Sequence, residues 1–167
     1  MGENVVAAPV MAAEGRSFTL RGWMVVVATI VSLFMVGVLG TWSASADYGG
    51  VDEDGHWIDA SGVVVAAAPA TVRALGHPSP LAVTLIVLVG LLGVVVPPTL
   101  ARWGRERLGR TVRVAAVLAL PVLAVAAVLV YGVWESHVVM DQIQQQVLPV
   151  HAFPLSGTTI TTGHMTR

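Results

Sequence analysis

Five histidines, together with Met140 and several carboxylates, lie in the polar parts of the chain. Imidazole, thioether and carboxylate groups are the ligands that zinc and copper accept in proteins. No HxxxH or HExxH spacing occurs, so a metal site requires folding to bring distant residues together. The candidate metal ligands are His56, His77, His137, Met140 and His151.

An acidic turn offers a second cation-binding chemistry. Asp52-x-Asp54-Gly55 is similar to half of a calcium loop, in which several carboxylate oxygens converge on the ion. Gly50 stands where such a loop needs an earlier acid, and no glutamate follows at the twelfth position. We therefore favour a solvated acidic turn over a calcium site.

The sequence contains no recognisable enzyme motif. It has no cysteine, which excludes thiolate nucleophiles, cysteine-ligated clusters and disulfides. No GxxxxGK, GxGxxG, GxSxG or HExxH pattern is present, and no pair of acids is placed for acid–base catalysis in a cleft. The net charge of −1 shows no excess of basic residues of the kind that binds nucleic acid. We predict no enzyme activity, no cofactor and no small-molecule substrate.

Three apolar segments make up much of the chain, and the elements that they form must position any cation-binding site. Of the 167 residues, 55% are apolar and only 11% are charged, which indicates a membrane protein. A spanning helix needs about 20 mostly apolar residues, and residues 23–42, 81–100 and 112–134 satisfy this. Trp23, Trp42, Trp103 and Trp134 stand at the ends of these segments, where indole rings favour the headgroup region. We predict three transmembrane helices.

The distribution of arginine predicts the orientation. Arg16 and Arg21 precede the first segment, and five arginines lie within residues 101–113, between the second and third segments. The loop between the first two segments has only Arg73, and the tail has only Arg167. Cytoplasmic loops are enriched in basic residues, so we expect a multi-pass plasma (inner) membrane protein with a cytoplasmic N-terminus and an extracytoplasmic C-terminus.

One alternative would remove the first segment. Ala44-Ser45-Ala46 matches the small-residue pattern at which signal peptidase cleaves. The apolar run before it is longer than the 7 to 15 residues, roughly, of a signal peptide. We favour a retained first helix, and cleavage remains the alternative.

Two polar segments are predicted to lie outside the cell. Asp54-Gly55 favours a tight turn, with a small hairpin over residues 51–58, and residues 63–76 read as a short strand followed by a helical turn. After Trp134, apolar residues recur at helical spacing, so the third helix is predicted to continue to Pro149. Its apolar side requires a cover, either from the outer loop, from another subunit or from lipid headgroups. The last residues are predicted to be extended or disordered.

The predicted fold is an all-α membrane protein with three transmembrane helices. A small extracytoplasmic loop that can hold a β-hairpin and an extracytoplasmic C-terminal helical extension complete it. The predicted segments are 1–22 cytoplasmic, 23–42 helix, 43–80 acidic outer loop, 81–100 helix, 101–111 Arg-rich inner loop, 112–134 helix, 135–148 helical extension and 149–167 extended tail.

Three functional hypotheses follow from this organisation. The spans carry no ionisable residue at depth but do carry small residues suited to close helix packing, such as Ala28, Ser32, Ala115 and Ala119. The first hypothesis is a non-catalytic accessory or scaffold subunit of a respiratory or transport assembly, with other integral membrane subunits and lipid as partners. The second is an extracytoplasmic metal-binding or metal-delivery protein. The third is a small oligomeric channel or transporter component.

Overall fold

Three helices form the membrane part of the protein. The structure is a computed structural model that describes residues 21–166; the predicted cytoplasmic residues 1–20, with Arg16, and Arg167 lie outside the described residues. Helices α1 (Gly22–Leu39), α2 (Pro80–Arg102) and α3 (Glu106–Ala127) overlap the three apolar segments, but α1 ends three residues earlier than predicted and α3 begins six residues earlier. Helix α1, helix α2 and the continuous helical run Glu106–Gln144 are each long and apolar enough to cross a membrane, which is consistent with the predicted membrane class.

Small residues allow these helices to approach closely. A Cβ at Gly93 would lie 2.6 Å from the Cβ of Ala116 on α3 and 2.9 Å from Val25 on α1. A Cβ at Gly90 would overlap the hydroxyl of Thr29 on α1, and this hydroxyl donates to the Val25 carbonyl at 2.8 Å. Packing through small residues is the usual way in which membrane helices associate, because lipid supplies no hydrophobic drive between them.

The third helix extends well beyond the length that a bilayer requires. A π-helical turn (Val128–Trp134) follows α3 without a break and leads into α4 (Glu135–Gln144). The resulting run, Glu106–Gln144, has 39 residues. At about 1.5 Å per residue it is about 58 Å long, whereas a bilayer with its headgroups is about 40–45 Å thick. This helical run is therefore longer than a bilayer is thick.

Six strands form two antiparallel sheets at one end of the helices. The larger sheet contains β1 (Trp42–Asp47), β5 (Ala70–Gly76) and β6 (Thr159–His164) in the order β1-β5-β6. The smaller sheet contains β2 (Gly49–Val51), β3 (Trp57–Asp59) and β4 (Val64–Val65). Because α2 starts directly after β5 and ends at Arg102, the Arg-rich turn between α2 and α3 lies at the opposite end of the bundle from the sheets.

The predicted all-α class is wrong, because the strands make this a mixed helix and sheet protein. The hairpin at Asp54–Gly55 is present as β2 and β3, with Val51 opposite Trp57. Residues 63–76, expected to form a short strand followed by a helical turn, contain the two strands β4 and β5. The tail, expected to be extended or disordered, contains strand β6. The physical reason is that β5 pairs with strands from distant parts of the chain, and such tertiary pairing overrides local preference.

Candidate functional site

Helix α4 supports the larger sheet through a compact apolar interface. Val139 and Ile143 on α4 are 0% and 4% exposed, and they pack with Val72 and Ala74 of β5 and with Val150. The sheet of the same chain is therefore the cover that the amphipathic extension requires. Burial of these side chains is what holds the sheet at a fixed position on the third helix.

Tyr48 adds a polar link to the same interface. Its hydroxyl donates to the carbonyl oxygen of Ile143 at 3.0 Å. Burial raises the pKa of the Tyr48 phenol, so the hydroxyl keeps its proton and remains a donor well above neutral pH.

Trp42 connects the first strand to the π-helical turn. Its indole Nε1–H donates to the carbonyl oxygen of Tyr131 at 3.1 Å. Gly76, opposite Trp42 in the sheet, leaves room for the indole ring, because a Cβ there would overlap it. The end of α1 also approaches this turn, since a Cβ at Gly132 would lie 2.9 Å from the Leu39 carbonyl oxygen. The junction between helices and sheet is therefore closely packed.

Glu135 anchors the segment that leads to the last strand. Its side chain is buried, with the residue 1% exposed, and its Oε1 accepts a hydrogen bond from the Phe153 N–H at 3.0 Å. The Phe153 ring also packs edge-on against Trp134, with 5.3 Å between ring centroids. The sequence placed Glu135 among polar residues outside the membrane, but its burial depends on a contact 18 residues away and has no local signal.

The larger sheet leaves one of its faces open, and we call this the outer sheet face. Strand residues alternate, so those between the α4-facing positions point away from the helix. In the sheet register Ser45, Arg73 and Thr161 are neighbours, as are Asp47 and Thr71. A shallow concavity of about 610 Å³ covers this face. The outer sheet face comprises Ser45, Asp47, Thr71, Arg73, Leu75 and Thr161.

The chemistry of the outer sheet face suits binding. It presents hydroxyl groups, the Arg73 guanidinium, the Asp47 carboxylate and Leu75, which is 40% exposed. Strands β1 and β6 are the two edges of this sheet, and within residues 21–166 neither has a second strand beside it. Free edges and an open mixed face are features that allow another protein to dock by strand addition or side-chain contact.

The predicted metal ligands lie in four different parts of the fold. His56 lies in the β2–β3 turn, His77 between β5 and α2, His137 and Met140 on α4, and His151 after α4, and all five are exposed. Among the described residues, one group of three histidine or carboxylate ligands lies within 4.8 Å, and it consists of Asp52, Asp54 and His56. No such group in this part of the chain includes His77, His137 or His151.

The carboxylates of the smaller sheet shape its turns. Asp52 Oδ1 accepts the His56 backbone N–H at 2.6 Å, and Oδ2 lies 3.5 Å from the His56 Nδ1. The backbone hydrogen bond lowers the pKa of Asp52. Asp59 Oδ1 accepts from the Ser61 hydroxyl at 2.6 Å and from the Val63 N–H at 2.9 Å, and these bonds lower the pKa of Asp59. Both carboxylates therefore act as turn-forming acceptors.

Comparison with known proteins assigns no family to this chain. The chain matches no family of known proteins, no curated protein and no solved structure.

Proposed function

We propose that this protein is a non-catalytic scaffold subunit of a larger membrane protein complex. Its helices pack against other membrane subunits, and its outer sheet face docks a partner outside the membrane. The observation that carries the proposal is the fixed attachment of the sheet to α4: Val139 and Ile143 bury one face of the sheet, which leaves the opposite face open. An outer sheet face that is held rigidly in this way is suited to fixing the position of a partner relative to the helices.

The membrane helices support this proposal. In the most apolar windows of the three spans, only 17%, 28% and 22% of residues are buried within the chain. Most of the apolar helix surface is therefore available to lipid or to other membrane helices. Shallow grooves lie between α2 and the third helix, and alanines are among their lining residues. Helices of other subunits can pack closely at such grooves, as membrane helix association requires.

The proposed orientation follows from charge. Arg102, Arg105, Arg107 and Arg110 lie at the end of the bundle opposite the sheets. The preference of arginine for the cytoplasmic side would place that end inside the cell and both sheets outside. The outer sheet face would then serve extracytoplasmic partners.

The proposal is tested by mild detergent extraction of an N-terminally tagged chain from its own host, followed by native mass spectrometry. Arg73→Glu reverses the central charge of the outer sheet face at an exposed position. Glu53→Arg, in the exposed β2–β3 turn, is the matched control. We expect a stoichiometric partner on the wild-type and control proteins and its loss from Arg73→Glu. A partner-free wild-type protein, or equal complexes in all three, would contradict the proposal.

A metal-binding function is the second candidate, and the proximity of Asp52, Asp54 and His56 favours it. Carboxylate and imidazole ligands within 4.8 Å fit a divalent cation such as zinc. Elemental analysis of the same chromatographic peak distinguishes the two candidates. A partner-free protein with near-stoichiometric zinc or copper, lost in His56→Ala, would favour metal binding over the scaffold.

A further inference from the structure

An apolar groove runs between α2 and α3 in the half of the bundle nearest the Arg-rich turn. It encloses about 240 Å³ and is widely open to the side. The groove exists because glycine and alanine stand where larger side chains would fill it. Its lining includes Val89, Leu92 and Gly93 from α2, and Val112, Ala115 and Ala119 from α3.

The helix faces that line the groove continue beyond it to the turn. On α2, the positions three to four residues apart that follow Leu92 lead through Val96 and Leu100 to Trp103. On α3, the same spacing leads from Val112 back through Leu108. Trp103 is 76% exposed and Leu108 is 50% exposed, so these faces present a large ring and an aliphatic side chain beside the turn.

The Arg-rich turn carries a strong local charge. Residues 101–113 contain five arginines and a single acid, Glu106. Arg102, Arg105, Arg107 and Arg110 are exposed, so their guanidinium groups are available to ligands outside the chain. Guanidinium groups bind phosphate oxygens in a bidentate manner, and an exposed tryptophan beside them favours the headgroup layer.

We propose that this groove and turn form a binding site for an anionic glycerophospholipid of the adjacent leaflet. One acyl chain lies along the groove, and the phosphate with its anionic headgroup lies between Arg102 and Arg105. Positive charge beside an apolar groove that opens into the membrane complements a lipid that carries a negative head and an apolar chain. A purely topological role would require the arginines but would not require an apolar groove in the same half of the bundle.

The test uses the full purified chain in native mass spectrometry with equal amounts of phosphatidylglycerol and phosphatidylcholine. We expect selective retention of phosphatidylglycerol. Arg102→Gln/Arg105→Gln should reduce that retention by about 25-fold, since each basic residue near a lipid surface contributes about fivefold. Glu53→Gln, which removes one charge in the exposed β2–β3 turn at the opposite end, is the control and should leave retention unchanged.

A second variant tests the groove separately from the charge. Ala115→Leu places a larger side chain at an exposed groove position, and we expect it to weaken retention of phosphatidylglycerol while all arginines remain. Val122→Leu, on an exposed part of α3 that does not line the groove, is its control. Equal retention of the two lipids, or unchanged selectivity in both test variants, would overturn the proposal. Because no partner protein is present, this result is independent of the scaffold function.

Discussion

Truncation of Ile143 should loosen the larger sheet while leaving the membrane helices intact. Ile143 is 4% exposed and belongs to an apolar cluster that is separate from the core of the helices. Replacement by alanine removes three buried carbons, which costs about 2–4 kcal/mol in a packed core. The hydrogen bond from Tyr48 is retained because it is accepted by the backbone carbonyl.

Hydrogen exchange in detergent, followed by mass spectrometry, measures this effect. A cost of about 2–4 kcal/mol corresponds to exchange that is about 30 to 900 times faster in peptides from β5 and β6. Met140→Ala is the matched control, because Met140 lies on the same helix but is 40% exposed, and it should change exchange by less than about threefold. Unchanged protection of β5 and β6 in Ile143→Ala would refute the packing of the sheet on α4.

Three further predictions concern other contacts. Gly93→Ala places a methyl group 2.6 Å from an α3 side chain and should lower the free energy of unfolding by about 1–3 kcal/mol in thermal denaturation, whereas Gly37→Ala, at an open position, should not. Trp42→Phe removes the donor to the Tyr131 carbonyl and should cost about 1–3 kcal/mol in the same assay, and an unchanged melting temperature would contradict that link. The hydrogen bonds that lower the pKa of Asp59 mean that its ionised carboxylate stabilises the turn at pH values above the usual carboxyl pKa. Amide protection at residues 61–63 should therefore be lost as pH falls below about 4. Asp59→Asn should make this protection independent of pH.

The helices and one hairpin could be predicted because their signals are local. Long charge-free segments predict spanning helices, and the spacing of Val139 and Ile143 predicts an amphipathic extension. Asp54–Gly55 predicts the β2–β3 turn because glycine accepts the positive φ of 80° found at Gly55. Each of these features depends on residues within a few positions of one another.

The larger sheet could not be predicted because its pairing is long-range. Four of the six residues of β1 are serine or alanine, which favour no strand by themselves, and β5 contains good helix formers such as Leu75. Ala74 pairs with Ala44 and with Ile160, residues from opposite parts of the chain. The outer sheet face exists only after these strands meet, so no local pattern could have indicated it. The candidate metal ligands remain a prediction: in the part of the chain that the structure describes, His56 is the one candidate that belongs to a close group of three histidine or carboxylate ligands.

Photo-crosslinking in intact membranes tests the central claim most directly. A photoreactive amino acid at Thr161, in the outer sheet face, is compared with one at Glu53, in the exposed β2–β3 turn outside it. The scaffold account predicts one discrete adduct of higher mass from position 161 and none from position 53. Absence of an adduct at position 161, with the protein present and intact in the membrane, would contradict it.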